Sequence, residues 1–238
     1  MKVLLKKPLL LIKREKDKMQ KPLRIVLTGA PGCGKGTQAR ILRDKYALCH
    51  LSTGEMLRAE AEQPTPLGHQ LKAALDRGEF ATDEMIVEMV SHRIEQQDCV
   101  NGFILDGFPR TLPQAEALEK ILKEKNMTLD AVIEIQVPDE IIMERILGRY
   151  TCAKCGEGYH DKNLKPKVYG VCDKCGSTEF VRRADDNRAT VKNRLINYRQ
   201  LTYPTISYFE KLGLLHCVDG TGSIEATASK IAKVLGLN

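Results

Sequence analysis

Five short, nearly continuous apolar runs alternate along the chain with longer stretches in which apolar residues recur every three or four positions. The runs at 24–28, 49–51, 102–106, 131–137 and 214–218 read as strands. The stretches near 35–46, 53–61, 67–76, 82–97, 111–125, 139–149, 187–211 and 223–236 read as helices. Alternation of this kind implies an α/β fold, a five-stranded parallel sheet wrapped by helices, with ligands at the carboxyl ends of the strands. One core domain with two insertions fits the 238 residues, and neither an internal repeat nor a Ser/Gly linker divides it.

The first strand runs straight into Gly29-Ala30-Pro31-Gly32-Cys33-Gly34-Lys35-Gly36-Thr37 and then a helix. This is the context in which a glycine-rich segment becomes a phosphate loop. Its backbone N–H groups turn toward phosphate oxygens, the helix start adds partial positive charge, and Lys35 reaches the outer phosphates. Gly36 stands where Ser or Thr is usual, and the hydroxyl comes one place later, at Thr37. Gly102–Asp106 is a buried-strand pattern ending in a carboxylate, suited to a phosphate-bound Mg²⁺, although Asp106 also reads as a plain strand-end turn residue. Gly107-Phe108-Pro109-Arg110 then delivers an arginine to the same sheet edge. Ser52-Thr53-Gly54-Glu55 opens a helix as a capping box, with Thr53 and Arg58 placed to face an anion.

Four of the eight cysteines form Cys152-x₂-Cys155, sixteen residues, then Cys172-x₂-Cys175. Two such knuckles match a structural zinc site, and Gly156 and Gly176 suit the turn after each pair. Two disulfides would want an oxidising compartment, and no secretory signal points to one. With four thiolate ligands the site has no open position, so zinc is expected to stabilise rather than catalyse. Cys33, Cys49, Cys99 and Cys217 read as small core or loop residues.

The formal charge of +6 narrows the partners once it is located. Residues 1–22 hold eight Lys/Arg against two Asp/Glu, the whole excess, leaving 29 of each sign in 23–238. A charge-balanced core gives no support to a nucleic-acid face. The leader lacks the long apolar region of a secretory signal and the Arg/Ser bias of a mitochondrial presequence. It reads as a solvated tail, with a weak basic amphipathic surface for anionic lipid as the rival, and Met19 is a candidate start of translation. No apolar run approaches the roughly 20 residues of a membrane span, and a cytoplasmic monomer is expected.

Taken together, GAPGCGKGTQ (29–38), LSTGEMLR (51–58), FATDEM (80–85), LDGFPRT (105–111) and RRADD (182–186) resemble the adenylate kinase family in order and spacing over residues 23–238. The four-cysteine insertion is similar to the zinc-bearing lid of the family's long form, and the hydroxyl at Thr37 is the family's own variant. The resemblance implies a P-loop kinase fold with an AMP-binding segment at 52–81 and a lid at 149–185 that close on the nucleotides. It implies reversible transfer of the ATP γ-phosphoryl to AMP with Mg²⁺, giving two ADP. It places Gly32, Cys33, Gly34, Lys35, Gly36, Thr37, Arg149, Gly158, Tyr159 and Gly222 around ATP. It places Thr53, Arg58, Glu79, Phe80, Ala81, Gly107, Phe108, Pro109, Arg110, Gln114, Arg183 and Arg194 around AMP or the transferring phosphates.

A side-chain contact at Gly222 is in doubt, because the family often has Lys there. Gln114 also fits a capping box with Thr111. The nucleophile would be a phosphate oxygen, already anionic, so the chemistry asks for positioning and charge cancellation by Lys35, Arg58, Arg110, Arg145, Arg149, Arg183 and Arg194 rather than a general base. Arg145 and Arg149 stand four apart on a segment that reads as one helix, a spacing that repels without an anion nearby, and Asp185 and Asp186 are candidates to hold them. A GTP:AMP phosphotransferase and a UMP/CMP kinase are the nearest alternatives. A zinc-ribbon nucleic-acid-binding P-loop ATPase is a distant one.

Overall fold

β1 (Leu23–Thr28) carries Ile25, Val26 and Leu27, each almost sealed from solvent because helices cover both faces of the sheet around it. The chain continues through α1 (Lys35–Tyr46), β2 (Cys49–Ser52), α2 (Thr53–Ala61), α3 (Pro66–Asp76) and α4 (Asp83–Arg93). A 3₁₀ turn at Gln97–Cys99 precedes β3 (Gly102–Asp106), α5 (Leu112–Glu124), β4 (Ala131–Gln136) and α6 (Asp139–Leu147). Three short strands follow: β5 (Arg149–Cys152), β6 (Gly158–His160) and β7 (Phe180–Val181). α7 (Arg188–Asn197), α8 (Tyr203–Lys211), β8 (Leu215–Asp219) and α9 (Ile224–Val234) complete the chain.

This computed structural model describes residues 21–76, 81–183 and 186–237, with the backbone alone at 58, 67 and 74–76. The expected leader at 1–20, Glu79, Phe80, the Arg58 side chain and Asp185 therefore lie outside the described residues. At the leader's end, Lys21 pairs with Asp130 at 2.9 Å.

The parallel sheet has the order β2-β3-β1-β4-β8. From β1 the chain builds first on one side and then on the other, so the loop after β1 opens at the switch point where open α/β sheets bind ligands. The strand ends are level, with Leu27 and Ser52 both in register with Asp106. Alternation along the strands splits the core. Val26, Leu51, Phe103 and Leu105 join Val90, Phe108 and Leu118 on one face, while Ile25, Leu27, Ile104 and Ile133 join Ala39, Leu42 and Ile231 on the other. β6-β5-β7 form a separate antiparallel sheet around the cysteines.

The helix expected over 187–211 is two helices joined by a π turn at Tyr198–Thr202. Pro204 has no N–H for the preceding turn, and the wider turn absorbs the missing bond. The helix expected to reach Arg149 stops at Leu147 with Gly148 as its C-cap, so Arg149 is the first residue of β5. Arg145 and Arg149 are thus not stacked on one helix, and the repulsion expected from that spacing does not apply. Ser52 is the N-cap residue of α2 but makes no side-chain cap bond, which removes that half of the expected capping box.

Gly102 starts β3 at φ 111°, beside Leu23 of β1, and a Cβ there would lie 2.0 Å from the Leu23 carbonyl oxygen. Neither backbone can yield without unpairing the sheet. Gly102→Ala is expected to destabilise the protein by about 3 kcal/mol or more, read as a lower urea midpoint.

Candidate active site

The loop after β1 is shaped by contacts that exclude side chains. At Gly32 (φ 83°) a Cβ would lie 2.6 Å from Ile146 Cγ1, so α6 packs directly against the loop backbone. Gly34 caps α1 without a side chain, which leaves the first N–H groups of the helix open to an anion. Lys35 Nζ donates to the carbonyls of Gly29 at 2.7 Å and Ala30 at 3.1 Å. The Cys33 side chain is buried, with its sulfur accepting from Lys35 Nζ at 3.6 Å, while Thr37 is half-buried. A Cβ on Gly36 would lie 3.4 Å from Asp106 Oδ2, which places the strand-end carboxylate against the start of α1.

The ends of β2 and β3 meet at the same edge. The Thr53 hydroxyl, only 2% exposed, donates to the Gly107 carbonyl at 2.9 Å, and Arg110 Nε donates to the same oxygen at 2.8 Å. Phe108 belongs to the core, so this segment presents Gly107, backbone groups and the Arg110 side chain; the Phe108–Pro109 bond is cis. Gln114 is 2% exposed. Its Oε1 accepts from Arg110 N at 2.7 Å and its Nε2 donates to Asp83 at 2.6 Å, while Thr111 caps α5. Both ends of the amide are therefore engaged in holding Arg110 and α4, and only the Thr111 half of the expected capping box forms, because Gln114 Oε1 takes Arg110 N rather than Thr111 N. Ala81 sits just before Thr82, the N-cap of α4.

Cationic side chains surround this edge. Arg145 donates to the carbonyls of Gly220 at 2.8 Å and Cys33 at 3.4 Å, tying the phosphate loop to the β8–α9 connection. Arg149 holds Asp186 through Nε at 2.5 Å and Nη2 at 2.6 Å, and Arg194 stands 3.7 Å from the same carboxylate. Desolvation and then the Arg194 charge push Arg110 below its ordinary value, opposed by Asp106. Arg110 remains charged and keeps exposed surface, so the shift marks a guanidinium set in a crevice, with the Arg194 charge as the secondary cause. Arg183 is exposed on the segment after β7. Gly222 lies in the β8–α9 connection, where a Cβ would meet only Ala226, at 3.6 Å.

In the four-cysteine unit, Cys152 and Cys175 Sγ are 3.5 Å apart, as are Cys155 and Cys172 Sγ, and all four lie within 4.8 Å of one another. A tetrahedral Zn²⁺ with bonds of about 2.3 Å needs sulfurs roughly 3.8 Å apart, so the donor set fits that ion. Matching turns follow each pair, with Gly156 N donating to Cys152 O and Gly176 N to Cys172 O, both at 2.9 Å. Tyr159 is buried under the cluster, stacked at 5.7 Å on Tyr150 and edge-on to Phe180. Its hydroxyl donates to Cys172 Sγ at 3.4 Å, which with backbone N–H groups lowers that thiol to about 6. Any nucleotide contact from Tyr159 is therefore through its backbone. Gly158 lies against Arg40 of α1, since a Cβ there would be 2.7 Å from the guanidinium.

Three side chains that sequence reading missed support the site. His50 Nε2 lies 3.1 Å from Asp106 Oδ2, with both side chains largely buried. Its signal was a polar residue between the buried Cys49 and Leu51. Asp83 accepts from both Thr111 (2.7 Å) and Gln114. His160 accepts at Nδ1 from Lys162 N and Asn163 N, leaving Nε2 to donate to the Glu144 carbonyl at 3.1 Å and anchor the cysteine unit to α6.

A phosphate loop at the switch point of this sheet, with a cationic edge built from two flanking segments, defines a P-loop phosphotransferase of the nucleoside monophosphate kinase class. The sequence profile of the adenylate kinase family matches residues 27–214. Over 213 residues the chain is 56% identical to an adenylate kinase of Allorhizobium ampelinum, covering 90% of this chain and 99% of the relative. It is 50% identical to one of Paramagnetospirillum magneticum, covering 90% and 98%. With one of Ruminiclostridium cellulolyticum the identity is 47% over 215 residues, covering 90% and 100%. The chain belongs to the adenylate kinase family.

The Tyr159 hydroxyl gives this site a measurable handle. In Tyr159→Phe the Cys172 thiol loses its donor and rises toward its ordinary value, so less thiolate is present at neutral pH. Zinc affinity, measured by competition with a chromogenic chelator, is expected to fall about 10- to 100-fold.

Proposed function

We propose that the protein transfers the γ-phosphoryl group of ATP reversibly to AMP, giving two ADP. The observation that carries this reading is the gathering of Lys35, Arg110, Arg145, Arg149 and Arg194 around one sheet edge, each held in place by a carbonyl or by Asp186. Two nucleotides bring many phosphate charges together, and forked guanidiniums can hold and align them.

On this reading the Gly32–Thr37 backbone and Lys35 hold the ATP phosphates, and Arg149, Gly158, Tyr159 and Gly222 complete the ATP side. Arg110, Thr53, Arg58 and the segment at 79–81 receive AMP. Thr53 and Gln114 act by positioning Gly107 and Arg110. Arg183 and Arg194 take up charge on the group in flight. The attacking phosphate oxygen is already anionic, which leaves no proton for a general base to remove, and the His50 ring is turned to Asp106 instead. Mg²⁺ bound with ATP neutralises phosphate oxygens, and Asp106, beside Gly36, is the carboxylate suited to face it. Zn²⁺ on Cys152, Cys155, Cys172 and Cys175 gives the 149–185 segment a rigid fold, so that it closes as a unit with 52–81 and keeps water from the phosphoryl group. The site is built from one chain's residues, as a monomer would need, and four thiolates committed to zinc suit a reducing compartment such as the cytoplasm.

The direct test pairs ATP, GTP and CTP as donors with AMP, UMP and CMP as acceptors in steady state. ATP with AMP is expected to give by far the highest kcat/KM. Activity confined to GTP as donor, or to pyrimidine acceptors, overturns the assignment.

Arg110→Ala is expected to lower kcat/KM for AMP at least about 100-fold, because a charge-assisted phosphate contact is removed. A variant close to the parent enzyme would take Arg110 out of the site.

A further inference from the structure

Away from the phosphate edge, at the opposite end of β2 and β3, a second cluster joins Cys49, Arg93, Asp98 and Cys99. Cys49 begins β2, in register with Phe103, and Cys99 ends the 3₁₀ turn that leads into β3. Arg93 Nη1 reaches Asp98 at 2.7 Å and Cys99 Sγ at 3.2 Å, and Nη2 reaches Asp98 at 2.6 Å and Cys49 Sγ at 3.3 Å. The two sulfurs and the Asp98 carboxylate lie within 4.8 Å of one another. A cation would have to displace the guanidinium that already contacts all three groups, so the cluster is poorly suited to a metal. It does bring two thiols together beside one guanidinium, with Cys49 Sγ donating to Asp98 at 3.3 Å and Cys99 Sγ to the Arg93 carbonyl at 3.4 Å.

We propose that Cys49 and Cys99 form a reversible disulfide in response to hydrogen peroxide. Cys49, as the proton-holding partner, and then Arg93 hold the Cys99 thiol below its ordinary value, while Cys49 is pushed up. This assigns Cys99 as the nucleophile and Cys49 as the resolving thiol. The Cys99 thiolate attacks a peroxide oxygen. An S–O bond forms, the O–O bond breaks, and the departing hydroxide takes up the proton that Cys99 had released, leaving as water and giving a sulfenic acid. The Cys49 sulfur then attacks the Cys99 sulfur. An S–S bond forms, the S–O bond breaks, and the departing hydroxide takes the Cys49 proton as a second water. Two thiols lose two electrons and one peroxide becomes two waters.

The sulfurs are buried but lie just beneath an exposed ion pair. The Arg93 and Asp98 side chains above them are 30% and 59% exposed, so a small oxidant has a short path when that pair opens. The bond would close a loop carrying α2, α3 and α4 while leaving the phosphate edge at the other ends of the strands untouched. The oxidised enzyme is therefore expected to keep its turnover and resist heat better.

The test treats the zinc-loaded full chain with a few equivalents of hydrogen peroxide, traps remaining thiols under denaturing conditions, and maps peptides without reduction. Expected are a Cys49–Cys99 linked peptide, a mass loss of about 2 Da reversed by dithiothreitol, and a Tm higher by about 5 °C or more. Cys99→Ser should lose the linked peptide and the Tm rise and keep parent turnover. Disulfides confined to the four zinc cysteines, or Cys49 and Cys99 still fully alkylated after peroxide, overturn the proposal. Peptide mapping of the unaltered chain decides the matter even if Cys99→Ser folds poorly.

Discussion

The site depends on holding like charges close together before any phosphate is bound. Two unit charges about 6 Å apart repel by roughly 3 kcal/mol at an effective dielectric of about 20, so several of them at one edge would drive the side chains apart. The chain restrains them mainly with neutral acceptors. Lys35 rests on the carbonyls of Gly29 and Ala30, Arg145 on those of Cys33 and Gly220, and Arg110 on that of Gly107. Carbonyl dipoles fix direction without cancelling charge, so the edge stays electropositive. Among the described residues the exception is Asp186, whose carboxylate is 4% exposed and serves both Arg149 and Arg194. It joins Arg149, which precedes the cysteine unit, to Arg194, which follows it.

The rest of the architecture places these restraints. Because β1 is flanked by β3 and β4, the phosphate loop, the end of β3 and the β8–α9 connection all open toward one crevice. The β2 and β3 ends lie level, so Thr53 and Arg110 share the Gly107 carbonyl. The cysteine unit solves a different problem. Its own buried cluster is little more than Cys152, Tyr159 and Cys172 with Tyr150 and Phe180 against it, too little apolar surface to stand alone. Four thiols converging to within 4.8 Å let a metal ion do what a core does elsewhere, and His160 fastens the unit to α6.

What the sequence revealed follows from the range of each interaction. The five core strands and the phosphate loop are written locally, in continuous apolar runs and in glycines at fixed spacing, and they appear where they were expected within a residue or two. The knuckle pairs are local as well. The partners of the site residues are not: His50 finds Asp106 across 56 positions, Arg149 finds Asp186 across 37, and Gln114 finds Asp83 across 31. Only the strand order brings such pairs together. Local patterns also mislead where two readings share one signature. Ser52 has the cap pattern without the bond, whereas Thr111 makes its cap bond to Gln114 N while the Gln114 side chain goes to Arg110 N instead. The Pro204 break lies inside a stretch whose periodicity continues on either side of it.

The charge distribution bears on how the nucleotides are recognised. With 29 positive and 29 negative side chains in residues 23–238, the core has no net charge, and at physiological ionic strength screening limits the reach of its electropositive edge to about 8 Å. Attraction is therefore a matter of the last few ångströms, where the geometry of the donors counts more than their number. Arginine suits that regime better than lysine, because a guanidinium fixed through one nitrogen still presents others in a known plane. Arg110, held through Nε on Gly107, and Arg145, held through Nη1 and Nη2, are restrained in this way, and Lys35 supplies the single point charge inside the loop. A site organised like this selects its ligand by where the phosphates lie relative to one another, which is the property that in-line transfer between two nucleotides requires.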